Sequence, residues 1–296
     1  MAKKVFLNDK LIDIDSGAVG VTDAGFLYGA GLFETMRSYN GVVFCLNNHL
    51  ERLALSSRVL AINNTREKDY IKDAVYKLLK ANDLSDARLR ITLTSGPIQQ
   101  KDGNSQSTLL ITSDEMEPYP SEFYRDGVLA VLSSFRQNPA EPTCGHKTTS
   151  YYPRILALNL AHRKRAAEAL WFTPDGRLAE GCISNVFLIK DSELFTPKLS
   201  TPVLSGITRS EICRLAHAEK IRFEEKDLTI DDVLEADEIF LTNVLMQVLP
   251  VTQVEKHTVG EGKVGPVTKK LHRAFIKNVE KQCGKTNESK KNIASN

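Results

Sequence analysis

The chain of 296 residues, 42% hydrophobic and 26% charged, has globular composition and the length of two domains, which excludes a single small module and a disordered chain. Thirty-nine basic residues against thirty-seven acidic ones leave a net charge of +2, too weak a field to gather nucleic acid or an anionic lipid surface. No apolar run approaches the roughly 18 residues of a membrane span, and the start through Val5-Phe6-Leu7 lacks a signal-peptide core, so a cytoplasmic protein is expected.

In chain order, the first clear element is a hairpin. Phe33–Tyr39 and Val42–Cys45 flank Asn40-Gly41, a pair suited to the positive φ angles of a tight turn. Leu50, Leu53, Leu60 and Ala61 then predict one helix, and Ile71, Ala74, Val75, Leu78 and Leu79 give a second the stripe of an amphipathic surface helix. Both are expected to cover a sheet. Ala87–Ser95 alternates Leu89, Ile91 and Leu93 with Arg88, Arg90, Thr92 and Thr94, so one strand face is apolar and the other needs water or a ligand.

The stretch Glu115–Arg125 carries two prolines and several charges and breaks all periodicity. It is expected to be an interdomain linker, dividing a small domain (1–114) from a larger one (126–282), with a polar, disordered tail over 283–296. Strands are predicted at Val128–Ser133, Ala169–Phe172, Asn185–Lys190 and Glu238–Thr242, with helices near Pro153–Ala167, Thr208–Ala218 and Pro266–Val279. Without a regular βαβ rhythm, this mixture argues for an α+β fold over a doubly wound one.

Several familiar chemistries fail on spacing. Gly29-Ala30-Gly31 lacks the third glycine of a dinucleotide loop, since Glu34 stands there, and it leads into a hairpin. The five cysteines are scattered and never spaced C-x-x-C, and the six histidines are dispersed, so neither a disulfide framework nor a metal site is expected.

Four separated pieces, each weak alone, form one constellation. Arg52 sits among the apolar positions of Phe44–Leu53, near the start of a helix. Lys147 lies among small polar residues in Gly145-His146-Lys147-Thr148-Thr149-Ser150-Tyr151-Tyr152-Pro153, just before a helix opened by proline. Glu180 stands between apolar residues in Leu178–Phe187, after the turn Pro174-Asp175-Gly176. Leu204-Ser205-Gly206-Ile207-Thr208-Arg209-Ser210-Glu211 announces a helix N-terminus, with Thr208 and Glu211 spaced as a capping box. Such an N-terminus is a ready phosphate cradle.

In this order, arginine, lysine, glutamate and a Gly-Ile-Thr helix start, the chain resembles the fold-type IV pyridoxal-phosphate enzymes, the class IV aminotransferase family. These comprise branched-chain and D-amino-acid aminotransferases and 4-amino-4-deoxychorismate lyase. The likeness runs from about Val5 to about Val279, and Asp23–Arg37 and Gly262–Thr268 look like the family's N-terminal signature and C-terminal helix start.

The resemblance implies a two-domain α+β fold, with a small N-terminal α/β sandwich and a larger C-terminal α/β pseudo-barrel. It implies pyridoxal 5'-phosphate (PLP) as cofactor, a small amino-acid-like substrate and a homodimer. It makes Lys147 the residue that carries the cofactor and moves the Cα proton. Glu180 is then the carboxylate that keeps the pyridine nitrogen protonated. Arg52, Ile207 and Thr208 bind the phosphate, with a backbone contact from Val244. Tyr152, or the adjacent Tyr151, meets the cofactor's phenolic oxygen, and Tyr28, Phe33, Arg37, Arg90 and Asn243 face the substrate. Thr242-Asn243-x-Leu245-Met246 looks most like the lyase branch, so the lyase is the first expectation, with a branched-chain or D-amino-acid aminotransferase second.

Overall fold

The computed structural model describes residues 2–98 and 106–285. The chain divides into two compact units: Met1–Glu117 with His146–Tyr151 and Val279–Asn296, and Pro118–Gly145 with Tyr152–Asn278.

The first unit holds β1 (Lys4–Leu7), β2 (Lys10–Asp13), a short α1 (Ala24–Tyr28), β3 (Gly31–Tyr39), β4 (Val42–Val43), α2 (Leu46–Val59), α3 (Lys68–Ala81), β5 (Ala87–Thr94) and β6 (Leu109–Glu115). Its strands form one antiparallel sheet in the order β2-β1-β6-β5-β3-β4. The turn between β3 and β4 has Asn40 and Gly41 at φ 51° and 77°, the left-handed pair a two-residue hairpin requires. Leu89, Ile91 and Leu93 of β5 pack with Leu32 and Met36 of β3 against the apolar stripes of α2 and α3, including Leu50, Leu53, Ile71, Val75 and Leu78. Burying each such side chain contributes ~1.5–3 kcal/mol. Helix α2 stops at Val59, short of the predicted Leu60 and Ala61, because Ala61 turns to φ 53°.

The second unit holds α4 (Ser121–Asp126), β7 (Val128–Arg136), α5 (Tyr152–Arg163), β8 (Glu168–Phe172), β9 (Leu178–Gly181), β10 (Asn185–Lys190), β11 (Glu193–Pro197), α6 (Ile207–Ala218), β12 (Phe223–Lys226), α7 (Ile230–Glu235), β13 (Glu238–Asn243), β14 (Gln247–Val254) and β15 (His257–Thr258). Helix α8 (Pro266–Cys283) begins here and ends in the first unit. The strands make a mixed nine-stranded sheet, β12-β11-β10-β13-β14-β7-β8-β9 with β15 on β14. The turn from β9 into β10, closed by Gly181 N–H donating to Ser184 O, returns the chain from the end strand to the middle of the sheet and curls it. The fold is mixed α+β with curled sheets.

Three sequence expectations need adjustment. The 115–125 stretch is not featureless: β6 runs to Glu115 and α4 starts at Ser121, because Pro120 sets the extended residue ahead of a helix. The larger unit is interrupted by His146–Tyr151, which packs with the first unit. Cys283, assigned to the tail, is instead the buried last residue of α8, which stops at Gly284 with φ 80°. The rest of the expected tail from 286 lies outside the described residues. Among the described residues no helix is long and apolar enough to cross a membrane.

Candidate active site

Lys147 is held by backbone pairing. Phe33 N–H donates to Lys147 O at 2.8 Å, Thr149 N–H donates to Gly31 O at 2.8 Å, and Leu32 and Thr148 form an antiparallel bridge, so 147–149 lies along the start of β3. Thr149 Oγ1 also donates to Gly29 O at 2.7 Å. Gly29 sits at φ 69°, and a Cβ there would meet Ser150 Oγ at 2.6 Å, so glycine is what lets this strip seat so closely.

The Lys147 side chain lies over an aromatic floor. Its Nζ is 4.5 Å from the centroid of the Phe33 ring and 5.7 Å from that of Tyr151, and the Tyr151 ring meets Phe33 edge-on. The Arg90 guanidinium stacks on Phe33 with its Cζ 3.9 Å from the centroid. The strand period explains this: Phe33 and Arg90 both point away from the core that Leu32 and Leu89 enter. Arg90 Nε donates to Thr92 Oγ1 at 3.2 Å, and no carboxylate among the described residues pairs with Arg90. Burial, then the nearby Arg88 charge, lowers its pKa, but a guanidinium remains protonated in any protein.

On the opposite face of β3, Glu34 projects among the core residues and would be an unpaired buried charge without help. Help comes from α2, where His49 and Arg52 stand three residues apart on the inward stripe. Arg52 Nε donates to Glu34 Oε1 at 2.8 Å and Arg52 Nη2 to Oε2 at 2.6 Å, while His49 Nδ1 meets Oε2 at 2.8 Å. Burial pushes the Glu34 carboxyl up, but the Arg52 charge and the hydrogen bonds of Arg52 and His49 outweigh it and hold it down at about 2. Burial holds His49 below its ordinary value, with the Glu34 contact opposing. Arg52 lies at mid-helix and not near the start, since it is the seventh of the fourteen residues of α2.

In the second unit, Glu180 on β9 is buried, 3% exposed, and its carboxylate is filled with donors. Oε1 accepts from Arg154 Nη2 at 2.5 Å and Gln137 Nε2 at 3.3 Å. Oε2 accepts from Leu204 N–H at 3.0 Å and Asn185 Nδ2 at 3.3 Å. The turn that follows is anchored by Glu168, which accepts from the N–H groups of Cys182 (2.9 Å) and Ile183 (3.1 Å) and from Ser184 Oγ (2.8 Å). Burial raises the Glu168 carboxyl more than these donors lower it.

The start of α6 departs from the expected capping box. Gly206 is the N-cap, in extended conformation, and no side chain caps the helix. Thr208 lies inside the first turn with its Oγ1 buried and without a hydrogen-bond partner, while Glu211 is engaged with Arg214 and Asn278. A Cβ at Gly206 would collide with Asn185 Oδ1, which explains why a capping serine or threonine is displaced from that position. An unsatisfied buried hydroxyl beside uncapped N–H groups suits a dianionic phosphate.

The remaining expected residues are dispersed in role. Arg37, 2% exposed, pairs with Asp86 through Nε at 3.3 Å and stacks on Tyr39 at 4.3 Å. Tyr28 and Tyr152 are exposed. Asn243 spends its side chain on backbone: its Oδ1 accepts from Leu245 and Met246 N–H, both at 2.8 Å, passing over Val244, and its Nδ2 donates to Ile183 O at 3.1 Å. Sequence reasoning missed Glu34, His49, Arg154, Gln137 and Glu168. The first two carried a signal: an acid in the apolar series Leu32, Glu34, Met36 needs a buried cation, and the inward stripe of α2 supplies two polar residues with the right spacing.

Residues 31–254 match the amino-transferase class IV family, and the chain belongs to that family. It is 34% identical to a provisionally named branched-chain-amino-acid aminotransferase of Methanocaldococcus jannaschii, over 92% of this chain and 95% of that one. It is 31% identical to the aminodeoxychorismate lyase of Bacillus subtilis, over 95% and 97%. The solved branched-chain amino acid aminotransferase of Escherichia coli superposes with a TM-score of 0.90 at 26% identity, covering 97% of each chain. The family is PLP-dependent, and each unit by itself holds groups that suit that cofactor: a lysine amine in the first, and in the second a buried carboxylate and a helix N-terminus with an orphan threonine hydroxyl.

Proposed function

We propose that this protein is a PLP-dependent aminotransferase that moves the amino group of a small, apolar amino acid to an oxo acid. The observation that carries the reading of chemistry at an amino-acid Cα is the shared Phe33 ring, with the Lys147 amine on it at 4.5 Å and the Arg90 guanidinium at 3.9 Å. An α-amino acid needs those two partners side by side, one for the chemistry at Cα and one for its carboxylate. Similarity to branched-chain aminotransferases supports the choice of reaction.

When bound, PLP supplies a sink for the electron pair left at Cα. Lys147 would hold the cofactor through its amine, and the same amine would serve as the base for the proton at Cα. Glu180 would accept the ring N–H, and Tyr152 would donate to the phenolic oxygen. The phosphate would take the N–H groups of Ile207 and Thr208, the Thr208 hydroxyl and Val244 N–H from the second unit and Arg52 from the first. Arg90 would take the substrate carboxylate and Tyr28 and Phe33 would line its path, while Arg37 is engaged by Asp86 and Tyr39 and Asn243 by backbone.

The second reading is 4-amino-4-deoxychorismate lyase, which eliminates pyruvate to give 4-aminobenzoate for folate biosynthesis. The Thr242-Asn243-x-Leu245-Met246 turn and the Bacillus subtilis relative support it. Both reactions begin with loss of the Cα proton, so the residues above serve either. Mixing the loaded protein with L-leucine, L-glutamate, D-alanine and D-glutamate in turn, without oxo acid, separates them. Bleaching of the visible band by one of these amino acids is the expected result and gives the handedness. An unmoved band, with 4-aminobenzoate released from aminodeoxychorismate, overturns the aminotransferase reading in favour of the lyase.

Two further expectations follow. Thr208→Val removes one hydrogen bond to a charged group, so PLP affinity measured by equilibrium titration falls roughly 10- to 100-fold. Its melting temperature without cofactor does not fall, because the hydroxyl lost is an unpartnered one. We also propose a cytoplasmic homodimer. The exposed Val21, Phe26 and Tyr28, at 78%, 74% and 69%, support a covered surface, and sedimentation of an active monomer would remove the dimer claim.

A further inference from the structure

We propose that Arg154 is a positioning residue which, as the cationic partner of Glu180, sets how firmly that carboxylate holds a proton on the ring nitrogen of bound PLP. The inference rests on the assignment of Glu180 made above.

Arg154 is fixed on several sides. Its Nη2 reaches Glu180 Oε1 at 2.5 Å and Gln137 Oε1 at 2.8 Å, and its Nη1 reaches Gly181 O at 2.9 Å and Cys182 O at 3.3 Å. Its guanidinium also lies 5.4 Å from the Trp171 ring centroid. One planar fork therefore holds both the acid and the backbone that follows it. The side chains of the pair are 21% and 4% exposed, so water screens their attraction weakly.

The other donors to Glu180, from Gln137, Asn185 and Leu204 N–H, are neutral. Two further titratable groups lie near the pair, Cys144 ahead of α5 and Cys182, whose carbonyl Arg154 holds; burial raises both thiols, so they stay uncharged, and Glu141 bears on Cys144. Among the described ion pairs, Arg154 is the cation paired with this carboxylate. Two of the donors fall on each oxygen, which fills the roughly four lone-pair sites of a carboxylate. A ring N–H must share an oxygen with Arg154 or with its neighbours. A positive charge beside an acid lowers the proton affinity of whatever the acid holds. With Arg154 in place, the ring nitrogen gives up its proton at a lower pH than Glu180 alone would set.

The test uses whole protein loaded with PLP labelled with 15N at the ring nitrogen, following the nitrogen resonance through a pH titration, with thermal melting alongside. In R154M the change from protonated to neutral nitrogen is expected to move up by on the order of one pH unit. R154K, which keeps the charge, is expected to stay near the unsubstituted protein. R154Q, which keeps hydrogen-bonding capacity without charge, replaces R154M should the latter fail to fold, with the same upward shift expected. A folded neutral variant that titrates with the unsubstituted protein, or an R154K that shifts as far as R154M, overturns the proposal. E180Q separates the two layers: if it leaves the titration unchanged, the Glu180 assignment itself has failed, whereas a shift in E180Q with none in R154M or R154Q removes only Arg154.

Discussion

Lys147→Ala is expected to lose turnover by at least ~10⁴-fold, because in the proposed assignment both the covalent hold on the cofactor and the proton carrier at Cα go with one amine. Borohydride reduction is expected to fix PLP to the unsubstituted protein and none to this variant. The fold should survive. What seats the strip against β3 is backbone, namely Phe33 N–H to Lys147 O and Thr149 N–H to Gly31 O, and alanine keeps both bonds. The change in stability is therefore expected to stay under about 1 kcal/mol, read from thermal melting without cofactor. A Lys147→Ala protein that still captures cofactor on reduction would show that another amine does this work.

Glu34→Ala is expected to have the largest effect on stability. It leaves Arg52 and His49 buried against each other without their acid, and breaking a buried pair from one side costs about 3–5 kcal/mol. Urea unfolding measures it, and an Arg52 released from its anchor should also bind PLP more weakly. The pH dependence has a definite sign. The Glu34 carboxyl sits at about 2 in the fold against an ordinary 4.5, so its stabilisation is complete above pH 4.5 and is lost as pH falls toward 2. The difference corresponds to about 3 kcal/mol across that window. His49, held below its ordinary 6.5 by burial, steepens the same acid side, since it must charge as pH falls. Glu34→Gln should therefore show a shallower loss between pH 4.5 and 2 than the unsubstituted protein. Equal slopes would mean that Glu34 is not held ionised.

Features governed by a short repeat were legible in the sequence. Ile71, Ala74, Val75, Leu78 and Leu79 are the buried residues of α3, and Leu89, Ile91 and Leu93 are fully buried on β5, because helix and strand periods act within a few residues. The order of arginine, lysine, glutamate and Gly-Ile-Thr carried the family. What could not be read depends on partners far along the chain. Arg154 finds Glu180 twenty-six residues away, through a choice of strand face that composition does not mark. The Thr208–Glu211 spacing misled for a local reason: a helix start written two residues early by Gly206 leaves the capping pattern intact in sequence and unused in space. The bridge between Leu32 and Thr148 is too short to produce any periodicity.

That bridge limits how this protein can be taken apart. Residues 146–151 belong with the first unit, although 28 residues of the second, Pro118–Gly145, precede them in the chain. A polypeptide cut after Glu117 would leave one piece with Glu34, His49, Arg52 and Arg90 but without Lys147. The other piece would carry Lys147 on a strip that has lost the strand it docks against. Recombination between relatives at the apparent linker would likewise trade Arg52 and Arg90 while leaving Lys147 behind, so chimeras of that design join a lysine strip from one parent to a β3 from the other. Their viability would depend on whether the receiving strand still offers glycines at 29 and 31 to a foreign Thr149 and Ser150.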